Sequence, residues 1–177
     1  MCLTKTQNNA LFWLKKGNSY AIKLLKILRR NLSGVSYCAG GVHPTALPES
    51  TLNELDLNFV VVGESENTPR DICNRFKGKN RLDLEGIEGV VYKHDKEVIY
   101  NGMRPLIEDL DSIPIPDRGL LQDYWWYLSP PGNIRGKIYK GIARIIATRG
   151  CPYHCIFCSS HQIFGRKVRK MADYETV

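Results

Sequence analysis

Between residues 19 and 31 the apolar side chains Ala21, Leu24, Leu25 and Leu28 recur at i, i+3, i+4 and i+7, with Lys23, Lys26, Arg29 and Arg30 on the other faces. That spacing predicts an amphipathic helix with one apolar stripe. Asn18 or Ser19 can cap its start by accepting from the first free N–H groups. Gly34 closes the turn, and residues 35–39 predict a short strand. A loop with two glycines and a proline is expected at Gly40-Gly41-Val42-His43-Pro44-Thr45, then a short helix near residues 50–55. Residues 57–62 are nearly all apolar and run into Gly63-Glu64-Ser65-Glu66, the pattern of a strand covered on both faces. Residues 68–76 again predict a helix, with Pro69 tolerated in its first turn. This rhythm predicts an α/β fold with a parallel sheet. Only two parallel strands are evident before residue 80, so the first half of a doubly wound domain is expected to be absent, with residues 1–4 weighed as the end of a lost third strand.

Further on, residues 89–93 and 97–100 flank His94-Asp95-Lys96 and predict a β-hairpin. Pro105, Pro114, Pro116, Pro130 and Pro131 interrupt any regular element over residues 102–136, where Glu108, Asp109 and Asp111 cluster, so an ordered linker is expected. Its Tyr124-Trp125-Trp126-Tyr127 run is expected to pack on a neighbouring domain; the alternative is a free aromatic binding surface. Residues 142–147 predict a buried strand leading into a cysteine-rich loop. There is no internal repeat and no low-complexity segment.

With 177 residues, 43% of them hydrophobic, one domain or one plus pieces of another is expected. No apolar run approaches the roughly 20 residues that cross a bilayer. The N-terminus lacks the basic-then-apolar order of a signal peptide. A cytoplasmic protein is therefore expected, and six cysteines there favour metal or catalytic roles over disulfides. Much of the net charge of +7 lies in residues 15–30 and 166–170. The first cluster reads as a solvated helix face and the second as a surface toward an anionic ligand. No aromatic-interleaved basic stripe accompanies them, so nucleic acid is not an expected partner.

Cys151, Cys155 and Cys158 fall within eight residues, while Cys2, Cys38 and Cys73 are scattered. Three thiolates at this spacing can hold three irons of a 4Fe-4S cluster and leave one iron open to a small molecule. Zinc is the rival ion. It wants four ligands; His154 is adjacent to Cys155 and poorly placed, whereas His161 offers a fourth. Unligated thiols are the remaining reading. No catalytic side chain is singled out.

The run Cys151-Pro152-Tyr153-His154-Cys155-Ile156-Phe157-Cys158, preceded by Ala147-Thr148-Arg149-Gly150 and followed by Ser159-Ser160, resembles the signature of radical S-adenosylmethionine (SAM) enzymes. The resemblance implies that Cys151, Cys155 and Cys158 ligate the cluster and that Phe157 lies against the adenine. The open iron would bind SAM and one electron would cleave it to a deoxyadenosyl radical. It also implies a partial (β/α) barrel with the cluster loop after its first strand. The stretch from Gly40 through Glu49, then Phe59-Val60-Val61-Val62-Gly63-Glu64, then the residues from Arg104 to Pro114, resembles the cobalamin-binding domain and linker of cobalamin-dependent radical SAM proteins. By that resemblance Gly40, Gly41, His43, Pro44, Thr45, Gly63 and Glu64 face cobalamin, at the carboxyl ends of parallel strands. The match covers roughly residues 18–177.

The implied organisation is the end of a partial doubly wound (Rossmann-like) cobalamin-binding domain with its hairpin over 1–101, a linker over 102–136, and the first βα portion of a radical SAM domain over 137–177. Three departures bear on it. No Asp-x-His-x-x-Gly motif supplies an axial histidine, so His43 is weighed as a cobalt ligand against a loop histidine bonded to backbone. Ser65 stands where the family has glycine and would be strained if that position needed φ > 0. A barrel core needs about 200 residues, and few follow the cysteines, so a truncated chain is expected. The parent would be a methyltransferase or another enzyme acting on unactivated carbon, with an electron donor such as a flavodoxin or ferredoxin. The alternatives are a non-catalytic cobalamin- or cluster-binding module and an inactive gene fragment.

Overall fold

The computed structural model of the chain describes residues 5–6, 9–14, 18–76, 82–95, 97–115, 117, 132–134, 137–139, 146–158 and 160–171. Two units emerge: Met1–Ile107 with Gly150–Arg166, and Glu108–Arg149 with Lys167–Val177. The first is built on a mixed sheet whose six strands lie in sequence order: β1 (Lys5–Thr6), β2 (Asn9–Leu14), β3 (Ser36–Gly40), β4 (Phe59–Val61), β5 (Val90–His94) and β6 (Glu97–Tyr100). β2, β3 and β4 are parallel, with Trp13 opposite Cys38 and Cys38 opposite Phe59. β1 pairs antiparallel with β2, and the β5–β6 hairpin adds antiparallel to β4. The hairpin turns at Asp95, whose φ of 54° is the left-handed conformation that Asp tolerates better than most residues.

Helix α1 (Asn18–Asn31) connects β2 to β3; α2 (Val42–Ala46) and α3 (Pro48–Glu54) connect β3 to β4; α4 (Thr68–Phe76) follows β4. Successive strand residues point to opposite faces, and the core divides accordingly. Tyr37, Ala39, Val60 and Val62 join Ala21, Leu25, Leu52 and Leu55 in one apolar cluster, while Cys38, Phe59, Val61 and Val90 join Ile72, Leu84 and Ile87 in the other. Covering on both faces is why residues 59–62 carry no polar alternation. Arg29, in the basic last turn of α1, holds that helix to the α3–β4 turn: it donates to the carbonyls of Leu55, at 3.0 Å, and Asp56, and lies 5.3 Å over the Tyr37 ring. After α3 the chain reverses at Asp56, φ 48°.

The expected helices and hairpin are present within a residue or two. Three features differ. A third parallel strand exists, at Asn9–Leu14. Gly40–Thr45 is not wholly a loop, because α2 starts immediately after Gly41. The apolar stripe of α1 is turned slightly, so that Ile22 is half-buried and Leu24 is 37% exposed. The conditional strain at Ser65 does not arise: Asp56 and Asp95 are the non-glycine residues with positive φ among the described residues.

In the second unit, Asp109 caps a 3-10 turn at Leu110–Ser112 by accepting from the Asp111 N–H at 3.0 Å. Lys167 pairs with Glu108 at 2.5 Å. β7 (Gly132–Ile134) pairs with β8 (Lys137–Tyr139), and β9 (Thr148–Arg149) pairs with β10 (Arg169–Lys170), both antiparallel. The expectations for residues 1–4, the aromatic run 124–127, residues 142–145 of the expected buried strand and residues 172–177 fall outside the described residues; at its described end that strand is not found, since Ile146 and Ala147 precede β9 and Ile146 is 64% exposed.

Candidate cofactor loops

The carboxyl ends of β3 and β4 carry the glycine-bearing turns. Gly41 has φ 113° and ψ −163°, a region closed to side-chain-bearing residues, and it lets the chain leave β3 and enter α2 without an intervening turn. The Thr45 hydroxyl on α2 donates to the Gly41 carbonyl at 2.7 Å and accepts from the Gly63 N–H at 3.0 Å. One side chain thus ties both turns into a single edge. Gly63, φ 75°, sits beside Met103; a Cβ there would lie 3.4 Å from the Met103 methyl. Pro44 is buried and His43 is exposed. Glu64 is buried at 5% exposure, and its Oε2 accepts from the Ile107 N–H at 2.7 Å. The structure therefore brings Gly40, Gly41, Thr45, Gly63 and Glu64 to one edge formed by the carboxyl ends of the central strands β3 and β4, with the Glu64 carboxylate engaged by the segment that follows the hairpin.

The cysteine loop leaves Gly150 and returns through helix α5 (Ser160–Phe164), an element the apolar pattern did not announce. Its ends are closed by two backbone bonds: the Cys151 N–H to the Gly165 carbonyl at 3.2 Å, and the Gly165 N–H to the His161 carbonyl at 3.1 Å. A third, Cys158 N–H to Cys155 carbonyl at 3.2 Å, makes a tight turn between two of the thiols. Ile163 anchors α5 by burial, and α5 is a near neighbour of α2. The glycine-bearing edge and the cysteine loop thus belong to the same compact unit.

His154, Cys155, Ile156, Phe157, Cys158, His161, Gln162 and Arg166 line an open cavity of about 380 Å³. Ile156 and Phe157 are almost wholly exposed. Of the basic run, Arg166 faces this cavity and donates to the Tyr153 carbonyl at 3.3 Å, whereas Lys167 is paired with Glu108 and Arg169 is buried. Arg166 belongs to the basic run expected to face an anionic ligand, whereas Gln162 is a lining residue that no sequence pattern points to.

Cys38, Cys73, Cys151, Cys155 and Cys158 are all free thiols, and their surroundings differ. Burial, with Cys73 nearby, pushes the Cys38 thiol up to about 12. Cys158 is shifted the other way: the hydroxyl and N–H of Ser160 stabilise its thiolate, with the sulfur 3.3 Å from the hydroxyl oxygen. No three His, Cys, Asp or Glu side chains among the described residues stand together as a metal-binding group. The donor chemistry nevertheless suits soft-metal ligation. Three free thiols share one loop, two of them line one cavity, one is already biased toward thiolate, and residues 151–155 follow no regular element that would hold the sulfurs apart.

No family model matches the chain. It is 34% identical over 152 residues to an uncharacterized methyltransferase of Pyrococcus horikoshii, covering 84% of this chain and 30% of that protein. It is 26% identical over 148 residues to the anaerobic magnesium-protoporphyrin IX monomethyl ester cyclase of a Synechocystis strain, covering 81% of this chain and 27% of that one. The fold is similar to that of TsrM, a radical S-adenosylmethionine methyltransferase from Kitasatospora setae solved with cobalamin and a 4Fe-4S cluster bound. The TM-score is 0.61 and the identity 13%, over 94% of this chain and 33% of TsrM. The chain therefore spans between 22% and 33% of the length of the proteins it matches.

Proposed function

We propose that this chain, a relative of radical SAM proteins that carry a cobalamin-binding domain, holds a 4Fe-4S cluster through Cys151, Cys155 and Cys158 and offers cobalamin the edge formed by Gly40, Gly41, His43, Pro44, Thr45, Gly63 and Glu64. The observation that carries the reading is the loop itself: three free thiols within eight residues, with Cys155, Cys158 and Phe157 on the wall of one cavity. The relatives' methyltransferase and cyclase chemistry makes radical SAM methylation the activity proposed for a protein containing this segment. Residues 1–101 correspond in this reading to the end of a partial doubly wound cobalamin-binding domain, 102–136 to a linker and 137–177 to the first βα portion of a barrel.

When bound, the groups proposed here would supply the redox and group-transfer chemistry: one electron for the sulfonium of SAM from the cluster, and a carrier for a methyl group from cobalamin. The chain's own residues bind and orient. The cysteine sulfurs ligate as thiolates, a state that Ser160 already favours at Cys158. Phe157, exposed at the cavity, offers a flat apolar face for an adenine ring. Arg166 brings positive charge to the same wall, suited to an anionic group. Gly41, beside which a Cβ would meet nothing within 4 Å, leaves open space at the end of β3, so that a large planar ligand can approach the backbone closely there. An electron donor such as a flavodoxin or ferredoxin is the expected protein partner.

Anaerobic reconstitution with iron and sulfide, followed by electron paramagnetic resonance of the dithionite-reduced chain with and without SAM, tests the proposal. A reduced 4Fe-4S signal that shifts on adding SAM is the expected result. The signal should be lost when any one of the three cysteines is replaced by alanine. A chain that takes up zinc in preference to iron, or no metal at all, would overturn it.

A further inference from the structure

The segment Met103 to Ile107, which follows the hairpin, touches both candidate loops. Met103 lies against Gly63 at the end of β4. One residue further, Arg104 is fixed to the start of α4, donating to the Thr68 hydroxyl at 3.1 Å and the Asp71 carboxylate at 2.5 Å. At the far end, the buried Glu64 carboxylate accepts the Ile107 N–H at 2.7 Å. Between these anchors, Leu106 presses on Gly165: a Cβ added to Gly165 would collide with the Leu106 Cδ1. Gly165 in turn accepts the Cys151 N–H through its carbonyl at 3.2 Å. Each step from the β4 turn to the first cysteine is a direct contact within one compact unit.

We infer that residues 103–107 form a strap that sets the position of Cys151, with Glu64 and Leu106 as its positioning residues. Glu64 fixes the strap's end because its buried carboxylate is a charged acceptor for the Ile107 N–H, and a charge-assisted bond shielded from water is costly to break. Leu106 then has a defined place, and Gly165 can take up the closing bond to Cys151 because no side chain stands in the way. Its φ of 72° also favours glycine there. A link made of packed and hydrogen-bonded groups counts as coupling only when perturbation at one end is read at the other. The consequence for cluster ligation rests on the function proposed above, but the placement of Cys151 does not, so it is tested without any metal.

The test is native-state alkylation of the metal-free full chain with iodoacetamide, read by peptide mass spectrometry. The rate at the half-buried Cys151 is compared with that at the exposed Cys155, while the buried Cys38 reports whether the sheet has opened. Leu106→Ala and Glu64→Ala should each raise the Cys151-to-Cys155 rate ratio several-fold with Cys38 still protected. Glu64→Gln, which keeps an acceptor oxygen, should recover most of the wild-type ratio. If Glu64→Ala opens the sheet, Leu106→Val provides the milder perturbation and should raise the ratio by a smaller factor. An unchanged ratio with Cys38 protected would overturn the inference. So would Cys38 opening in step with Cys151 in every variant, since the contacts would then hold only the fold. A failed cluster reconstitution alongside a raised ratio would count against the proposed function and leave the strap standing.

Discussion

Cys38 and Cys158 carry the same side chain in opposite surroundings. Cys38 sits in the middle of β3 among Phe59, Val61 and Ile72, with its thiol raised to about 12, so near neutral pH it is an inert apolar group. A folded-state value above the unfolded value of 9.0 means that the unfolded chain releases this proton first. The Cys38 contribution is therefore fully present below pH 9 and is lost as pH rises from 9 toward 12. Its slope in that window approaches about 1.4 kcal/mol per pH unit. Urea unfolding of the wild type and Cys38→Ala across pH 8 to 11 should show the stability gap between them narrowing as pH rises. A gap that stays constant would mean the thiol does not titrate differently in the two states. Thr45 is the other residue whose role rests on one group. Replacing it by valine keeps the shape, removes the donor to Gly41 and leaves the Gly63 N–H without its partner. A loss of about 1–3 kcal/mol is expected in urea unfolding, with Thr45→Ser restoring most of it.

At the scale of elements, the legible parts were those whose pattern is local. The 3.6-residue spacing of Ala21, Leu25 and Leu28 announced α1, and the unbroken apolar run at 59–62 announced a doubly covered strand, because each is a direct trace of burial on one stripe or on two faces. α2 reads as loop in the sequence because Gly41 and Pro44 are turn residues, yet Gly41 leads straight from β3 into the helix and Pro44 falls within its first turn, where its missing N–H costs nothing. α5 is five residues long, too short for a period to show. The cysteine spacing was readable from sequence; the contacts that seat the loop were not, since Glu64 and Ile107 are 43 residues apart and no local pattern encodes such a pairing. Gly89 is a similar case. It joins β4 to the hairpin with φ 78°, and a Cβ there would come within 3.2 Å of both the Val62 carbonyl oxygen and the Thr68 hydroxyl. Gly89→Ala should cost more than about 1 kcal/mol, from the backbone conformation and the crowding together. Thermal melting would show this as a drop in Tm, and an unchanged Tm would mean the hairpin shifts freely on β4.

For the whole molecule, what matters is that both candidate loops belong to one compact unit, joined by the 103–107 segment yet closed by different bonds. The glycine-bearing edge is organised by the Thr45 hydroxyl and the Gly63 backbone, whereas the cysteine loop closes through the backbone of Cys151 and Gly165. The thiols themselves take no part in the bonds that organise the other edge. If cobalamin occupies that edge as proposed, its binding should survive removal of the sulfurs, because Cys→Ser replacement leaves the Cys151 N–H free to reach Gly165 as before. Titration of hydroxocobalamin into the chain, followed by its visible absorption, should thus give the same affinity for the wild type and for the variant with Cys151, Cys155 and Cys158 all changed to serine. Thr45→Val, which loosens the edge itself, should weaken the affinity several-fold while leaving iron uptake intact. Loss of hydroxocobalamin binding in the triple serine variant would instead mean that the two loops form one indivisible site, and equal binding by Thr45→Val would move the cobalamin surface away from the β3–β4 edge.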